Sequence, residues 1–216
     1  MEKKNMPTEK TMDRMELILK NLKEGKTVTL GELQSAGFIL AADKSFGRVI
    51  NKTHLKELKG SLTKDGCIEP VSVFFGAEYF EAYPERELAD LNDGDKKYTK
   101  DSPEVPEVIF VADGVHRVQA HVELLSEDES YKHTLRFRHV ETVLPIDRWI
   151  YVRNTNNRNW DSKDCSRHIA ARTGHAKSNL TTAVKWQEEL KLGEKYAYTI
   201  LNLSDTYKKK LLSEYM

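Results

Sequence analysis

Glu107-Val-Ile-Phe-Val-Ala-Asp-Gly-Val-His-Arg-Val-Gln-Ala-His-Val-Glu-Leu-Leu125 is the stretch on which the fold turns. Its apolar run stops at Asp113-Gly114 and a 3.6-residue apolar rhythm begins at once, so a strand feeds directly into a helix. Val108 to Ala112 suit a strand buried on both faces. Val115, Val118, Val122 and Leu125 recur on one helical face. Gly114, His116 and Arg117 then fall at the first turn of that helix, where backbone N–H groups lack intrahelical acceptors and the dipole favours an anion. Glycine lets backbone approach a phosphate closely, Arg117 can clasp two of its oxygens and His116 adds a donor, which together read as a phosphate cradle. An ordinary strand-to-helix turn that carries a histidine and an arginine accounts for these four residues equally well, because one Gly-x-His-Arg is a short motif.

Upstream, Lys52 to Lys64 carries Leu55, Leu58 and Leu62 on one side and predicts a helix, which Gly66 closes. Ile68, Val71, Val73, Phe74 and Phe75 predict the next strand, with Pro70 allowed only at its start or on an edge. Two blocks are thus in place: Arg48-Val-Ile-Asn-x-x-His-Leu-x-x-Leu-x-x-Ser-Leu-x-x-x-Gly-x-Ile-x-Pro-Val-x-Val73, then Asp113-Gly-x-His-Arg-x-x-Ala120. In order and spacing this pair resembles the N-terminal domain shared by ParB partition proteins, sulfiredoxins and free-serine kinases, over about Gly47 to about Arg172 with an insertion between the blocks.

The resemblance implies that Gly114, His116 and Arg117, with Asp113 in the same block, hold the phosphates of CTP or ATP, with Mg2+ as a companion ion. It implies further that the Gly66 to Pro70 turn borders the base or ribose and that Arg48 reaches the phosphates from the other side. Asn157-Arg-Asn-Trp-Asp-Ser-Lys-Asp164 resembles the segment that follows the core in ParB proteins, where an acid and an amide assist phosphate and magnesium. Here the acid before the asparagine is missing and Arg153 lies nearby, which leaves at most slow triphosphate hydrolysis. Sulfiredoxins carry a cysteine between the glycine and the histidine because a thiolate must attack there; Val115 has no nucleophile, so sulfiredoxin activity is excluded. Cys67 and Cys165 match neither a metal nor a redox spacing and read as small packing residues.

The formal net charge of zero hides an uneven distribution. Residues 1–64 hold thirteen Lys/Arg against eight Asp/Glu, residues 148–185 eight against two, and residues 76–113 four against eleven. Local basic faces permit DNA binding, although solvated lysine-rich helices look the same. The acidic middle, about 83–106, reads as a solvated surface insertion; Asp93, Asp95 and Asp101 lack the alternating ligands and closing glutamate of a calcium loop. Met12, Met15, Ile18, Leu19 and Leu22 predict an amphipathic helix ended by Gly25, and Thr29-Leu-Gly-Glu32 a capping box. Both are expected to pack on the core.

The last third predicts a strand around Leu135 to Val143, a helix carrying Trp149 and Val152, and two more helices, Asp161 or Ser162 to about Arg172 and Lys177 to Leu190. Ala170, Gly174 and Leu180 fit the spacing of a helix-turn-helix, the motif that ParB proteins place after the core. Lys177, Ser178, Asn179, Thr181 and Thr182 would then open the recognition helix, with Arg158 as a further DNA contact. A helical subdomain that simply covers the sheet is the alternative. The histidines, among them His116, His121, His133, His139, His168 and His175, show neither an His-x-x-x-His nor an His-Glu-x-x-His zinc pattern.

The expected architecture is therefore an α/β protein with a mixed sheet. It comprises an N-terminal helical extension (1–46), a ParB/sulfiredoxin-like nucleotide-binding core (47–145) and a C-terminal helical region (146–216). The expected role is that of a cytoplasmic, DNA-associated protein in plasmid or mobile-element partition, maintenance or regulation, in which nucleotide shifts a clamp or a homodimer between two states; the sequence leaves the oligomeric state open. No apolar segment approaches the ~20 residues of a membrane span. An enzyme using the same phosphate site stands as the alternative: a small-molecule kinase with Glu69 or Asp113 as base, or a nuclease. An interaction scaffold without ligand is the third.

Overall fold

A computed structural model of the chain describes residues 9–43, 52–157 and 179–190, together with Ala197 and Leu201. The chain divides into two compact units, Met1–Trp149 and Ile150–Met216. The first is a mixed α/β unit built on a seven-stranded sheet.

Its elements run α1 (Glu9–Lys23), β1 (Val28–Thr29), α2 (Leu30–Ser35), β2 (Ile39–Ala42), α3 (Lys52–Asp65), β3 (Val71–Phe75) and α4 (Gly76–Ala82). They continue with β4 (Leu88–Asp90), β5 (Lys97–Tyr98), a 3-10 turn (Val105–Glu107), β6 (Val108–Asp113), α5 (Val115–Glu127) and β7 (Arg136–His139); the next helix, α6 (Ile146–Asn157), has residues in both units. The strand order is β1-β7-β3-β6-β2-β4-β5. Strands β3 and β7, and likewise β2 and β6, are parallel; β1–β7, β3–β6, β2–β4 and β4–β5 are antiparallel.

Central strands β3 and β6 are apolar apart from Ser72 and the terminal Asp113, as strands covered on both sheet faces are. Val71, Val73, Ile109 and Val111 join Phe137, Leu135 and Val118 in the larger core cluster. The alternate residues Phe74 and Phe110 lie on the opposite face, where Tyr79 of α4 packs against Phe110 with ring centroids 4.6 Å apart. Trp149 meets Phe74 edge-on at 5.8 Å. Fully burying each such side chain contributes roughly 1.5–3 kcal/mol.

The amino-terminal region is part of this unit rather than a helical extension. Strands β1 and β2 belong to the sheet, and Ile18, Leu22, Leu30, Leu33, Phe38 and Leu40 all sit in the main core cluster. Helix α1 buries Ile18 and Leu22 as its periodicity requires, while Met12 points to solvent at 56% exposure. The Thr29 capping box forms: Glu32 N donates to Thr29 Oγ1 at 3.2 Å, and Thr29 N donates to the Glu32 carboxylate at 2.7 Å.

The acidic insertion departs from the expected solvated loop. It supplies β4 and β5, which extend the sheet beyond β2, and it buries Leu88 and Tyr98 completely or nearly so. Arg86 from this segment donates to Asp43 Oδ2 at 3.2 Å, at the carboxyl end of β2, and its guanidinium lies 5.0 Å over the Tyr83 ring. Tyr79 donates its hydroxyl to the same Asp43 oxygen. A handful of apolar residues suffices because β2 offers an edge that β4 can pair with at Ala41↔Asp90 and Ala42↔Ala89.

Strand β3 starts at Val71, so Pro70 sits immediately before it, and Ile68 is 79% exposed in the loop instead of lying in the strand. Strand β7 is shorter than expected and spans Arg136–His139. In the second unit α7 (Asn179–Glu189) buries Ala183 and Gln187. The helix expected from Asp161 or Ser162 to Arg172 lies outside the described residues, as do Arg158, Lys177 and Ser178.

Candidate phosphate-facing site

Gly114 is the hinge between β6 and α5. With φ +99° and ψ 17° it occupies left-handed backbone space that glycine enters without a Cβ penalty. That single residue turns the extended strand into a helix, whose first backbone bond runs from Val118 N to Gly114 O at 2.9 Å. The amides of the first turn point away from the helix body, as they do at any helix start.

Helix α5 buries more than one stripe. Val118 faces the main core, while Ala120 and Leu124 pack with Leu55, Leu62 and Tyr131 in a second cluster. Leu125, expected on the apolar face, is 49% exposed. The buried arc is shifted because α5 contacts both the sheet and α3, and Lys59 of α3 donates to Glu127 at 2.9 Å beside a contact with Glu123. His121 is buried, with Nδ1 2.7 Å from the Tyr131 hydroxyl. Desolvation first, and the nearby His133 second, hold the His121 imidazole below its usual pKa.

On a helix, side chains lean toward the amino terminus, so Arg117 reaches back over Gly114. Its Nη2 donates to Asp113 Oδ2 at 3.2 Å and its Nη1 to the Glu69 carbonyl at 2.8 Å, with Cys67 Sγ at 3.8 Å. Cys67 Sγ in turn lies 3.0 Å from the Glu69 carbonyl, to which its thiol donates. A Cβ on Gly114 would stand 2.9 Å from Arg117 Nη2 and 3.1 Å from Cζ, so the guanidinium rests directly on the glycine.

The loop after α3 is shaped by a second left-handed glycine. Gly66, at φ +69°, donates its N–H to Leu62 O at 3.0 Å and has no room for a side chain, because a Cβ there would meet His133 Nδ1 at 2.9 Å. Arg117 ties this Gly66–Pro70 turn to the β6–α5 junction, which brings Gly66, Pro70, Asp113, Gly114 and Arg117 into one neighbourhood. His116 joins from the first turn of α5, its ring 5.5 Å from that of His54 on α3 in an edge-on arrangement. Arg48 lies outside the described residues.

Two features separate this geometry from an outward-facing cradle. Arg117 is turned onto a carboxylate and a carbonyl of the protein itself, and its side chain is only 18% exposed. Asp113, the carboxylate at the junction, is engaged by that guanidinium, so these residues do not fit a protein-held Mg2+. Among the described residues no group of three or more His, Cys, Asp or Glu side chains is arranged to hold a metal. A cleft of about 370 Å³ lined by Phe74, Glu78, His139 and Ile146 shares no residue with the junction.

Cys67, the Glu69 carbonyl, His54 and His133 touch the site residues, and motif reading gave none of them a part in holding a ligand: Cys67 read as packing, Glu69 entered only through its side chain as a base in the kinase alternative, and His54 stood in the first block without a role. Asp113 ends β6 and Gly114 caps α5, so the contact joins a strand-end carboxylate to a first-turn arginine that leans back over the glycine, an arrangement no helix-face spacing in the sequence signals. Of the residues assigned to DNA, Asn179, Thr181 and Thr182 fall on the first turn of α7, in the second unit. Among the described residues no helix is long and apolar enough to cross a membrane. No family model, curated protein or solved structure matches the chain.

Proposed function

We propose that the chain is a ParB-like, cytoplasmic, nucleotide-binding protein associated with DNA, working in the partition, maintenance or regulation of a plasmid or mobile element. One observation carries the reading. The fold joins the Gly66–Pro70 turn to the Gly114 junction through Arg117, uniting two sequence blocks that the insertion holds far apart in the chain. In this reading the triphosphate of CTP or ATP lies at the first-turn amides of α5, where backbone donors and the helix dipole favour it. Arg117 exchanges its internal partners for phosphate oxygens, His116 adds a donor, and the Gly66–Pro70 turn borders the sugar or base. Binding shifts a clamp or homodimer between two states, with any hydrolysis slow and serving as a reset. The excess of basic residues over 148–185 and the polar start of α7 support contact with DNA.

A second reading has its own support. Arg117 held by Asp113 and the Glu69 carbonyl is also what an architectural brace looks like, and it favours an interaction scaffold that keeps the fold without the ligand. Turnover of a small hydroxyl substrate would instead mark a kinase built on the same site.

Calorimetry with CTP, ATP, GTP and UTP on the wild type and on Arg117→Ala separates these. The nucleotide reading requires that one triphosphate binds and that Arg117→Ala weakens it at least about tenfold, the equivalent of losing a charge-assisted clamp of roughly 1.5 kcal/mol or more. Nucleotide-dependent, salt-sensitive retention on DNA completes that reading. Absence of binding by a folded wild type leaves the scaffold.

A further inference from the structure

Asp113 and the Glu69 main-chain carbonyl together make a seat that already satisfies Arg117 when no ligand is present. The ion pair is partly buried, with the Arg117 and Asp113 side chains 18% and 20% exposed, while the bond to the Glu69 carbonyl lies on an exposed loop. The guanidinium also lies on Gly114, over the backbone that an incoming anion has to approach. An anion reaching the first-turn amides of α5 therefore competes with an internal carboxylate for the same cation.

We propose that Asp113 is a built-in competitor of the phosphate, a latch that holds Arg117 down and sets the nucleotide concentration at which the site fills. This inference rests on the nucleotide reading and adds its regulation. The latch links the site to the Gly66–Pro70 turn, because the guanidinium that holds Asp113 through Nη2 holds the Glu69 carbonyl through Nη1. The exchange replaces one ion pair by another, so its cost is set by a partly buried pair of roughly 1 kcal/mol, and the competitor lowers nucleotide affinity by roughly fivefold.

The test uses the full chain with two readouts. Phenylglyoxal labelling of Arg117, followed by mass spectrometry without nucleotide, reports whether the guanidinium is held. Calorimetry with CTP and with ATP reports affinity. Asp113→Asn, with Asp113→Ser as a second variant should the first not fold, is expected to label Arg117 several-fold faster and to bind nucleotide roughly fivefold tighter. That gain should vanish in Asp113→Asn combined with Arg117→Ala. Unchanged labelling, weaker binding, or a gain that survives removal of Arg117 overturns the latch; in the last case Asp113 acts only through its negative charge. Faster labelling with no nucleotide bound by any variant overturns the nucleotide reading instead, and the affinity threshold with it.

Discussion

Replacing Gly114 by alanine tests the junction on which the site depends. Two costs follow from the geometry. At φ +99° an L-residue is strained in left-handed space by about 1–2 kcal/mol. The new Cβ would also stand 2.9 Å from Arg117 Nη2, and because that atom ends a flexible side chain, the guanidinium moves instead of the backbone. Moving it forfeits the partly buried ion pair with Asp113 and the exposed bond to the Glu69 carbonyl, together worth about 1 kcal/mol after allowance for solvent. Gly114→Ala should therefore destabilise the protein by about 2–3 kcal/mol in the wild type and by only about 1–2 kcal/mol in an Arg117→Ala background. Urea denaturation of the four proteins in a double-mutant cycle measures the difference directly. Equal costs in the two backgrounds, within about 0.5 kcal/mol, refute the seating of Arg117 on Gly114. Absence of any cost refutes the left-handed junction itself.

Two further outcomes concern stability. Burial lowers the His121 pKa below its ordinary 6.5, so as pH falls the unfolded chain takes up this proton first; the stability conferred by the neutral ring is complete above about 6.5 and drains as pH drops toward the depressed folded value. Urea unfolding at about pH 7.5 and about pH 5.5 should show that loss in the wild type and a smaller one in His121→Gln, and equal losses would remove His121 from the account. Leu88→Ala, in the acidic insertion, should cost about 2–5 kcal/mol because the side chain is fully buried, whereas a change below about 0.5 kcal/mol would return the segment to the status of a surface loop.

The strand-to-helix passage at Gly114 was legible in the sequence because the apolar period changes from continuous to 3.6 residues within two positions. The capping box at Thr29 and the glycine stop at Gly66 were legible for a similar reason: each is a local device whose residues lie within one helical turn. Short strands carry no such signal. Strand β2 has four residues, β4 three and β5 two, and the last two hide among acids, so the pairing partner across the sheet, not local pattern, decides that they are strands. Nothing in the local pattern marks His121 as buried; its partner Tyr131, ten positions later, is brought to it by the fold and makes that burial tolerable. At the site, the motif placed Arg117 at the first turn of α5 and assigned its charge to a phosphate, whereas the guanidinium rests on Asp113 and on the Glu69 carbonyl, 48 residues away, a partner that only the fold supplies.

The sheet finishes on both sides in a strand of two residues, Val28–Thr29 at one margin and Lys97–Tyr98 at the other. So little unpaired main chain is a poor template for a foreign strand, and lysine at the outer margin weakens it further. Growth of the sheet from one molecule into the next through these margins is thereby discouraged.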